Sequence, residues 1–375
     1  MRDGANSSSR LLLASAGSYP RTGDSPALKF LQETLAAAER GERSIADVVD
    51  AQDEVTRLAI ADQIRAGLDV VTDGQIRWAD PVSYLAGKLS GVEFDGAVPY
   101  FDAAWPCRRP LLRERPARRD PLVVHDFLFA RNALGLLPTP ANKSGRLAVK
   151  VVLTGPYTLA KLSGVADGSR QGPLPPMAAY SPDASLSLGA RTEAYAEALA
   201  EEILALAAAG ADLVQIDEPA ILENPGDWEL FASAIGALCA ARDAAAQKNG
   251  RAPLLALHVH FRDCVPLHEK LLGLPVDIVG LDFTASPKLA ECLAVTGSPK
   301  SLALGFVDGR NASLEDSATL ARLVEKIAPA ISGHRAYLGP SCGLAALGQV
   351  HAYAKLELLG KVLAELNGHA AGSSH

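Results

Sequence analysis

Short apolar runs rich in leucine, valine and isoleucine recur along this 375-residue chain, and a longer stretch with helical periodicity follows each run. The runs are apolar at consecutive positions, as expected for strands that are buried on both faces of a parallel sheet. Helical periodicity is clearest at 194–209, which ends before Gly210, and at 314–331 and 350–366. The predicted strands are residues 11–16, 68–72, 148–154, 212–217, 254–260, 277–282, 301–306 and 336–339.

Eight strand–helix units in series predict an α/β fold, the (β/α)₈ TIM barrel. An open doubly wound sheet is less consistent with the sequence, since no Gly-x-Gly-x-x-Gly motif follows the first strand. We expect a single barrel over residues 11–367, with inserted loops or a hairpin at about 91–121 and 163–188. Residues 1–10 and 368–375 are expected to be terminal tails, the first of them disordered.

The composition excludes several classes of protein. With 48% hydrophobic and 21% charged residues the chain can bury a large core, which excludes a disordered or fibrous protein. A net charge of −7 argues against nucleic acid as the main partner, and no apolar segment reaches the ~18 to 20 residues of a membrane span. The polar start and the five scattered cysteines predict a cytoplasmic protein without a disulfide framework.

One segment departs from this acidic balance. Residues 108–119 contain six arginines. Such a run is typical of a solvated loop, yet it also fits a binding site for an anionic substrate tail or for a partner. The sequence leaves both interpretations open.

Polar residues cluster where the predicted strands end, and a barrel of this class builds its active site at the carboxyl ends of its strands. A structural protein has no need of acids, histidines and a thiol at one end of its strands, so the set predicts a functional site. Its members are Gly17, Ser18, Asp73, Gln75, Asp217, His258, His260, Asp282, Arg310 and Cys342.

Four of these residues have the chemistry of a metal site. His258 and His260 are two positions apart on one strand, so both side chains project to the same side. With Asp282 and Cys342 they offer imidazole, carboxylate and thiolate, all of which bind zinc. The alternatives are histidines hydrogen-bonded inside the barrel, an inert cysteine, and an aspartate that caps the helix predicted to begin near Ser286.

Zinc at such a site has two common uses. It converts a bound thiol to a thiolate at neutral pH, which favours thiol alkylation. It also activates water for hydrolysis. The residue types alone do not choose between these reactions.

Several motifs, taken in order, resemble those of the cobalamin-independent methionine synthase family. They are Gly-Ser-Tyr-Pro at 17–20, TGPYT at 154–158, QIDEPA at 215–220 and Cys-Gly-Leu at 342–344. The resemblance is to the catalytic C-terminal barrel of that enzyme, and more closely to its single-barrel relatives, over about residues 11–365. It implies a barrel of the methionine synthase/uroporphyrinogen decarboxylase type.

The resemblance also implies a zinc site. The family ligands are the His and Cys of a His-x-Cys motif, a Glu that ends the next strand, and the Cys of Cys-Gly-Leu. Here His258 and Cys342 match, whereas His260 replaces the first Cys and Asp282 replaces the Glu. Both replacements can bind zinc, so we expect a metal. Two histidines and an aspartate also suit iron(II), which is the alternative metal.

The expected substrate-binding residues follow from the same resemblance, and two of the matched positions have changed. Ser18 with Gly17 matches the segment that binds the amino acid's carboxylate, and Asp217 matches one of two carboxylates that bind its ammonium. Gln75 replaces the other, which weakens the case for homocysteine as the thiol. Asp73, in the same loop as Gln75, completes the expected set.

Arg310 stands where two-barrel members have a His that is proposed to assist methyl transfer. Arginine cannot release a proton near pH 7, but its guanidinium binds anionic groups bidentately. Asp217 and Arg310 are the expected catalytic residues.

We therefore expect a transferase that binds a small thiol, homocysteine or an analogue, as a thiolate on a metal ion and methylates it from methyltetrahydrofolate. For a single barrel, a methylcorrinoid carried by a donor protein is the alternative donor. Another hypothesis is a lyase or an iron-dependent oxidative enzyme that acts on a sulfur-containing or anionic small molecule. The third is a non-catalytic homologue.

Overall fold

The computed structural model describes residues 11–101, 106–138, 147–166, 186–331 and 333–372. The strands in these residues are β1 (Leu11–Leu13), β2 (Val70–Val71), β3 (Ser90–Pro99), β4 (Pro106–Ala117), β5 (Ala148–Thr154), β6 (Gly164–Val165), β7 (Leu213–Asp217), β8 (Leu254–Val259), β9 (Ile278–Asp282), β10 (Ser301–Val307) and β11 (Ala336–Pro340).

Eight of the strands form one parallel sheet that closes on itself. Their order is β1-β11-β10-β9-β8-β7-β5-β2, and a parallel bridge between Ala14 and Val70 joins the two ends. The predicted barrel is therefore confirmed, and each of the eight predicted strands is present. The register places Thr154 beside Asp217 and Asp217 beside His258, so neighbouring strands end in adjacent polar side chains.

The helices cover the outside of the barrel. In the described residues they are α1 (Pro26–Glu39), α2 (Ile45–Arg65), α3 (Ser83–Ala86), α4 (Val124–Leu136), α5 (Pro156–Leu162), α6 (Leu188–Ala209), α7 (Ala220–Glu223), α8 (Trp228–Asn249), α9 (His268–Gly273), α10 (Leu289–Thr296), α11 (Ser317–Ile327) and α12 (Gln349–Gly372). None of them is long and apolar enough to cross a membrane.

Helix boundaries differ from the predicted ones where capping groups decide them. Helix α6 begins six residues earlier than the periodicity predicts, because the Ser187 side chain accepts a hydrogen bond from Ala190 N. Helix α11 begins after Asp316, whose carboxylate accepts from Thr319 N. Helix α12 continues to Gly372, past residue 368, where the C-terminal tail was expected to begin.

The first predicted insertion is an antiparallel hairpin of β3 and β4. Its arginines pair within the chain: Arg113 contacts Glu93 at 2.9 Å and Arg115 contacts Glu197 at 2.8 Å. These ion pairs favour the solvated-face interpretation of the basic run over an anion-binding one. Most of the second predicted insertion, residues 167–185, lies outside the described residues.

The main hydrophobic core lies between the barrel and its helices, and a smaller apolar cluster fills the barrel interior. One charged side chain, Lys150, is buried inside the barrel among these residues. The interior cluster consists of Ala14, Val70, Leu213, Ala256, Ile278 and Tyr337.

A buried carboxylate connects α6 to the segment that begins α4. Glu202 is fully buried and accepts hydrogen bonds from Leu122 N, Val123 N and Val124 N. The Arg118 guanidinium contacts the same carboxylate at 2.8 Å. Backbone donors that have no partner inside their own helix are thereby satisfied, which fixes where α4 begins.

We predict that Glu202→Gln lowers the free energy of unfolding by about 2 kcal/mol, because an amide cannot accept from all of these donors. The measurement is chemical denaturation followed by circular dichroism. Glu201→Gln is the matched control, since Glu201 is 58% exposed and contacts Arg118 only at 3.8 Å. Equal losses in the two variants would contradict the assigned role.

Candidate active site

A cavity of about 90 Å³ opens at the carboxyl ends of the barrel strands. It contains most of the residues that the sequence predicts for the site. His258 lines a neighbouring cavity inside the barrel, whereas Asp73 and Asp282 line neither. The predicted site residues that line the cavity are Gly17, Ser18, Gln75, Asp217, His260, Arg310 and Cys342.

His258 and His260 lie with their ring centroids 4.8 Å apart at the end of β8. Asp217, from the adjacent β7, approaches His258 Nδ1 with its Oδ1 at 3.4 Å. One ligand atom from each of these three residues lies within 4.8 Å of the others. The structure thus groups Asp217, rather than Asp282, with the two histidines.

Gln215, inside the barrel, orients Asp217 and His258. Its amide nitrogen donates to Ala16 O and to Asp217 Oδ1, both at 2.7 Å, which uses its two hydrogens. The His258 Nδ1 hydrogen is then free to donate to Asp217, and Nε2 keeps its lone pair for a ligand. Burial alone would raise the pKa of Asp217, but the hydrogen bond from His258 lowers it.

His260 has the properties of a metal ligand. Burial, together with the neighbouring His258, lowers its pKa to about 3, so its imidazole is neutral. Its Nδ1 is buried and has no hydrogen-bond partner among the described residues. A buried polar atom without a partner is costly, and a metal ion would satisfy it.

Cys342 is buried in the wall of the same cavity, outside the group formed by Asp217, His258 and His260. Burial, reinforced by the charge of Asp282, raises the pKa of its thiol to about 12. A Cβ atom on Gly309 would lie 2.9 Å from Cys342 Sγ, so only glycine leaves room for the sulfur. The thiol therefore needs a nearby cation to ionise at neutral pH.

Asp282 has a different set of partners from the one that the sequence predicts. Its Oδ1 accepts from Thr284 N, Thr284 Oγ1 and Ala285 N, and its Oδ2 accepts from Phe261 N at 3.1 Å. Three donors thus share Oδ1, whereas Oδ2 accepts one hydrogen bond and keeps a lone pair. Asp282 thus braces the turn after β8, where Phe261 has a left-handed φ of 77°. Its role as a ligand stays a prediction.

Two of the expected acceptor-binding residues, Ser18 and Gln75, also line the cavity. Gln75 has a left-handed φ of 50°, and its backbone nitrogen donates to Asp73 Oδ1 at 3.0 Å. Asp73 therefore holds the turn that presents Gln75. A Cβ atom on Gly343 would lie 2.1 Å from Ser18 Oγ, so glycine is required where these two loops meet.

Arg310 lines the cavity, but its guanidinium already has partners. Its Nε contacts Asp308 Oδ1 at 3.0 Å and its Nη2 donates to Thr284 Oγ1 at 3.1 Å. The charge of Arg310 is thus already balanced by the neighbouring carboxylate of Asp308.

Sequence reasoning missed the aromatic residues of the cavity. Tyr100, which is buried, packs against Phe261 with ring centroids 6.0 Å apart, and Phe101 contacts both. The signal was the pair of adjacent aromatics inside the predicted insertion. The ring centroids of His260 and Phe261 lie 4.3 Å apart. The aromatic rings therefore exclude water from the side of the cavity that His260 faces.

The comparison with known families agrees with this geometry. The model for the family described as "Cobalamin-independent synthase, Catalytic domain" matches residues 11–365. The chain belongs to this family.

Relatives in the cobalamin-independent synthase family cover nearly the whole chain. Methionine synthase from Saccharolobus solfataricus is 28% identical over 341 residues, which is 91% of this chain and 90% of the relative. Methionine synthase from Methanothermobacter marburgensis is 29% identical over 354 residues, with 93% and 98% covered. The family and these relatives support methyl transfer as the class of reaction.

Solved structures confirm the fold. The B12-independent methionine synthase from Shewanella sp. W3-18-1, in complex with selenomethionine, superimposes with a TM-score of 0.70 at 20% identity. The match covers 96% of this chain and 98% of that structure. A putative enzyme of the same description from Listeria monocytogenes gives a TM-score of 0.64 at 17% identity, with 94% and 96% covered.

A lysine inside the barrel supports the site in this member of the family. Lys150 Nζ donates to Ser15 O at 2.6 Å and to Gln215 Oε1. The second bond fixes which end of the Gln215 amide faces Asp217. Sequence reasoning missed this role, although a lysine within an apolar strand was the available signal.

Burial lowers the pKa of Lys150 to about 8, against the opposing charge of Asp217. The unfolded chain, with an ordinary lysine pKa, binds a proton above pH 8 that the folded chain does not. Stability from this group therefore rises with pH. We predict that, relative to Lys150→Met, the wild type gains about 2 kcal/mol of unfolding free energy between about pH 8 and pH 10.

The measurement is denaturant unfolding of both proteins at several pH values. Taking the difference between them cancels the tyrosines and cysteines that also titrate in this range. Parallel pH profiles would show that Lys150 keeps an ordinary pKa.

Proposed function

We propose that this protein transfers a methyl group to the sulfur of a small thiol, homocysteine or an analogue, with methyltetrahydrofolate as the donor. One observation carries the proposal: a single cavity is lined by His260 and Cys342 and also by Ser18, Gln75 and Asp217. The first pair can hold a sulfur-binding metal, and the second group can hold the rest of the acceptor.

The residues present fit a metal ion. His258 Nε2, the unpartnered His260 and the Cys342 thiol would hold it, with Asp282 as the further predicted ligand. When bound, zinc supplies the positive charge that keeps both Cys342 and the acceptor sulfur as thiolates. His260 in place of the family's cysteine leaves the ion more positive.

The chain's own residues orient the acceptor. Asp217 is ionised and offers a carboxylate to an ammonium group, while Gln75 offers only a neutral amide. An amino-acid acceptor is therefore held by one negative charge where the family has two. The aromatic cluster of Tyr100, Phe101 and Phe261 keeps water away from the reacting sulfur.

The reaction balances without an oxidant or reductant. A bond forms between the thiol sulfur and the methyl carbon while the bond between that carbon and the donor nitrogen breaks. The thiol loses its proton and the donor nitrogen gains one. A methylcorrinoid on a donor protein is the alternative methyl source.

A second function has one observation in its favour. Asp217, His258 and His260 are the two-histidine, one-carboxylate set that binds iron(II) in oxygen-dependent enzymes. Under this alternative the protein is an iron enzyme that acts on a sulfur-containing or anionic small molecule.

We predict that protein purified without a tag contains about one zinc per chain and that Cys342→Ala reduces this content at least about tenfold, since loss of a first-sphere ligand weakens a zinc site strongly. Elemental analysis measures both. Cys239→Ala is the matched control because Cys239 is a buried cysteine of α8. Iron at full occupancy would favour the second function, and metal-free protein would contradict both.

We further predict that the wild type forms methionine from homocysteine and methyltetrahydrofolate, and that Gln75→Glu lowers the KM for homocysteine about tenfold. A buried hydrogen bond between charged groups is worth roughly 1.5 to 3 kcal/mol, and Gln75 is 8% exposed. Initial rates with quantified methionine test both statements. Absence of thiol methylation with either donor class would refute the proposed function.

A further inference from the structure

A second and larger cavity, of about 360 Å³, adjoins the active-site cavity. Ser18, Gln75 and Pro81 line both of them, so the two are contiguous at the expected acceptor site. The larger volume falls within the roughly 300 to 1,000 Å³ typical of small-molecule sites. Its remaining walls include Arg21 and Trp78.

Arg21 brings an unbalanced positive charge to this cavity. Its Nη1 donates to Trp78 O at 2.5 Å, and its Nε is buried without a partner. No carboxylate of the described residues forms an ion pair with it. Burial lowers the pKa of Arg21, and no neighbouring charge offsets this effect.

Other polar groups of the cavity agree with an anionic ligand. Trp78 Nε1 is buried and has no acceptor among the described residues. The carboxylate in the lining, Asp80, accepts from Val82 N, Ser83 N, Ser83 Oγ and Arg108 N, so its lone pairs are occupied. Asp80 therefore has no free lone pair with which to balance the charge of Arg21.

Arg21 is partly buried, and a guanidinium that is partly removed from water without a counter-ion is costly, so proteins normally pair it. Arg310, at the other side of the active site, shows the usual solution with Asp308 at 3.0 Å. Among the described residues Arg21 has no such partner, and an anionic ligand would supply the missing negative charge.

We propose that the larger cavity binds the anionic end of a small-molecule substrate, a carboxylate, sulfonate or phosphate, with Arg21 as its counter-ion. The inference depends on the proposed function only in treating this ligand as a substrate. Because Ser18 and Gln75 line both cavities, we expect the anionic group to belong to the acceptor thiol. The end of the thiol that is distant from its sulfur would then extend past these two residues into the larger cavity. The acidic tail of the methyl donor is the second source.

The test is calorimetric binding of two probe thiols that differ only in charge, 4-mercaptobutyrate and 4-mercaptobutanol. The wild type is expected to prefer the acid, and Arg21→Gln should lose about tenfold or more of that preference. Arg21→Lys keeps a positive charge and should retain part of it. Arg40→Gln is the matched control, because it removes a charge from an exposed pair with Glu42.

A second arm identifies the source. Methyltetrahydrofolate with one or with three glutamates is titrated into the same proteins. Weaker donor binding in Arg21→Gln, with an unchanged thiol preference, assigns the anion to the donor. If Arg21→Gln and Arg40→Gln behave alike in both arms, the proposal is wrong.

Two features keep the outcome interpretable. The acid-to-alcohol ratio is compared within each variant, so a general loss of structure, checked by thermal melting, does not imitate a loss of selectivity. Binding also requires no turnover. A protein that methylates no thiol can still show the Arg21-dependent preference, and an active methyltransferase can lack it.

Discussion

The hydrogen bond from Lys150 to Gln215 inside the barrel is the interaction on which the site depends. An amide side chain can adopt two orientations that exchange its oxygen and nitrogen. Lys150 Nζ donates to Gln215 Oε1 and so selects one of them. The nitrogen of Gln215 then faces Asp217, and Asp217 in turn accepts from His258. A cation in the interior of the barrel thus orients the polar side chains of the candidate site above it. Because the surroundings are apolar, each of these bonds is stronger than it would be in water.

Much of the fold is readable from the sequence because its strands are buried on both faces. Apolar runs such as Ala148–Thr154 have no other common explanation. The polar strand-end residues Ser18, His260 and Cys342 also come together, since they line one cavity, and their functional roles stay predictions. Partners that are distant in the sequence are not readable in this way. Arg115 of β4 pairs with Glu193 and Glu197, and Arg118 directly after β4 pairs with Glu201 and Glu202, some eighty residues along the chain.

Asp282 shows a second limit of sequence reasoning. Its position matches a ligand of the family, but a carboxylate binds whichever donors come closest. Here these are the backbone and hydroxyl groups of the turn that follows it, together with Phe261 N. Backbone donors cannot be recognised from the residue types. A motif alone therefore cannot distinguish a carboxylate that binds a metal from one that stabilises a turn. Arg21 is the converse case: its residue type is ordinary, and only the missing partner makes it informative.

The hydrogen bond from Phe261 N to Asp282 also connects two positions that depart from the family pattern. It supports the left-handed turn at Phe261, directly after His260, so the side chain at 282 and the residue at 260 share one piece of backbone. Positions 260 and 282 are therefore linked through one turn of backbone, and we expect the effects of substitutions at the two positions to be non-additive.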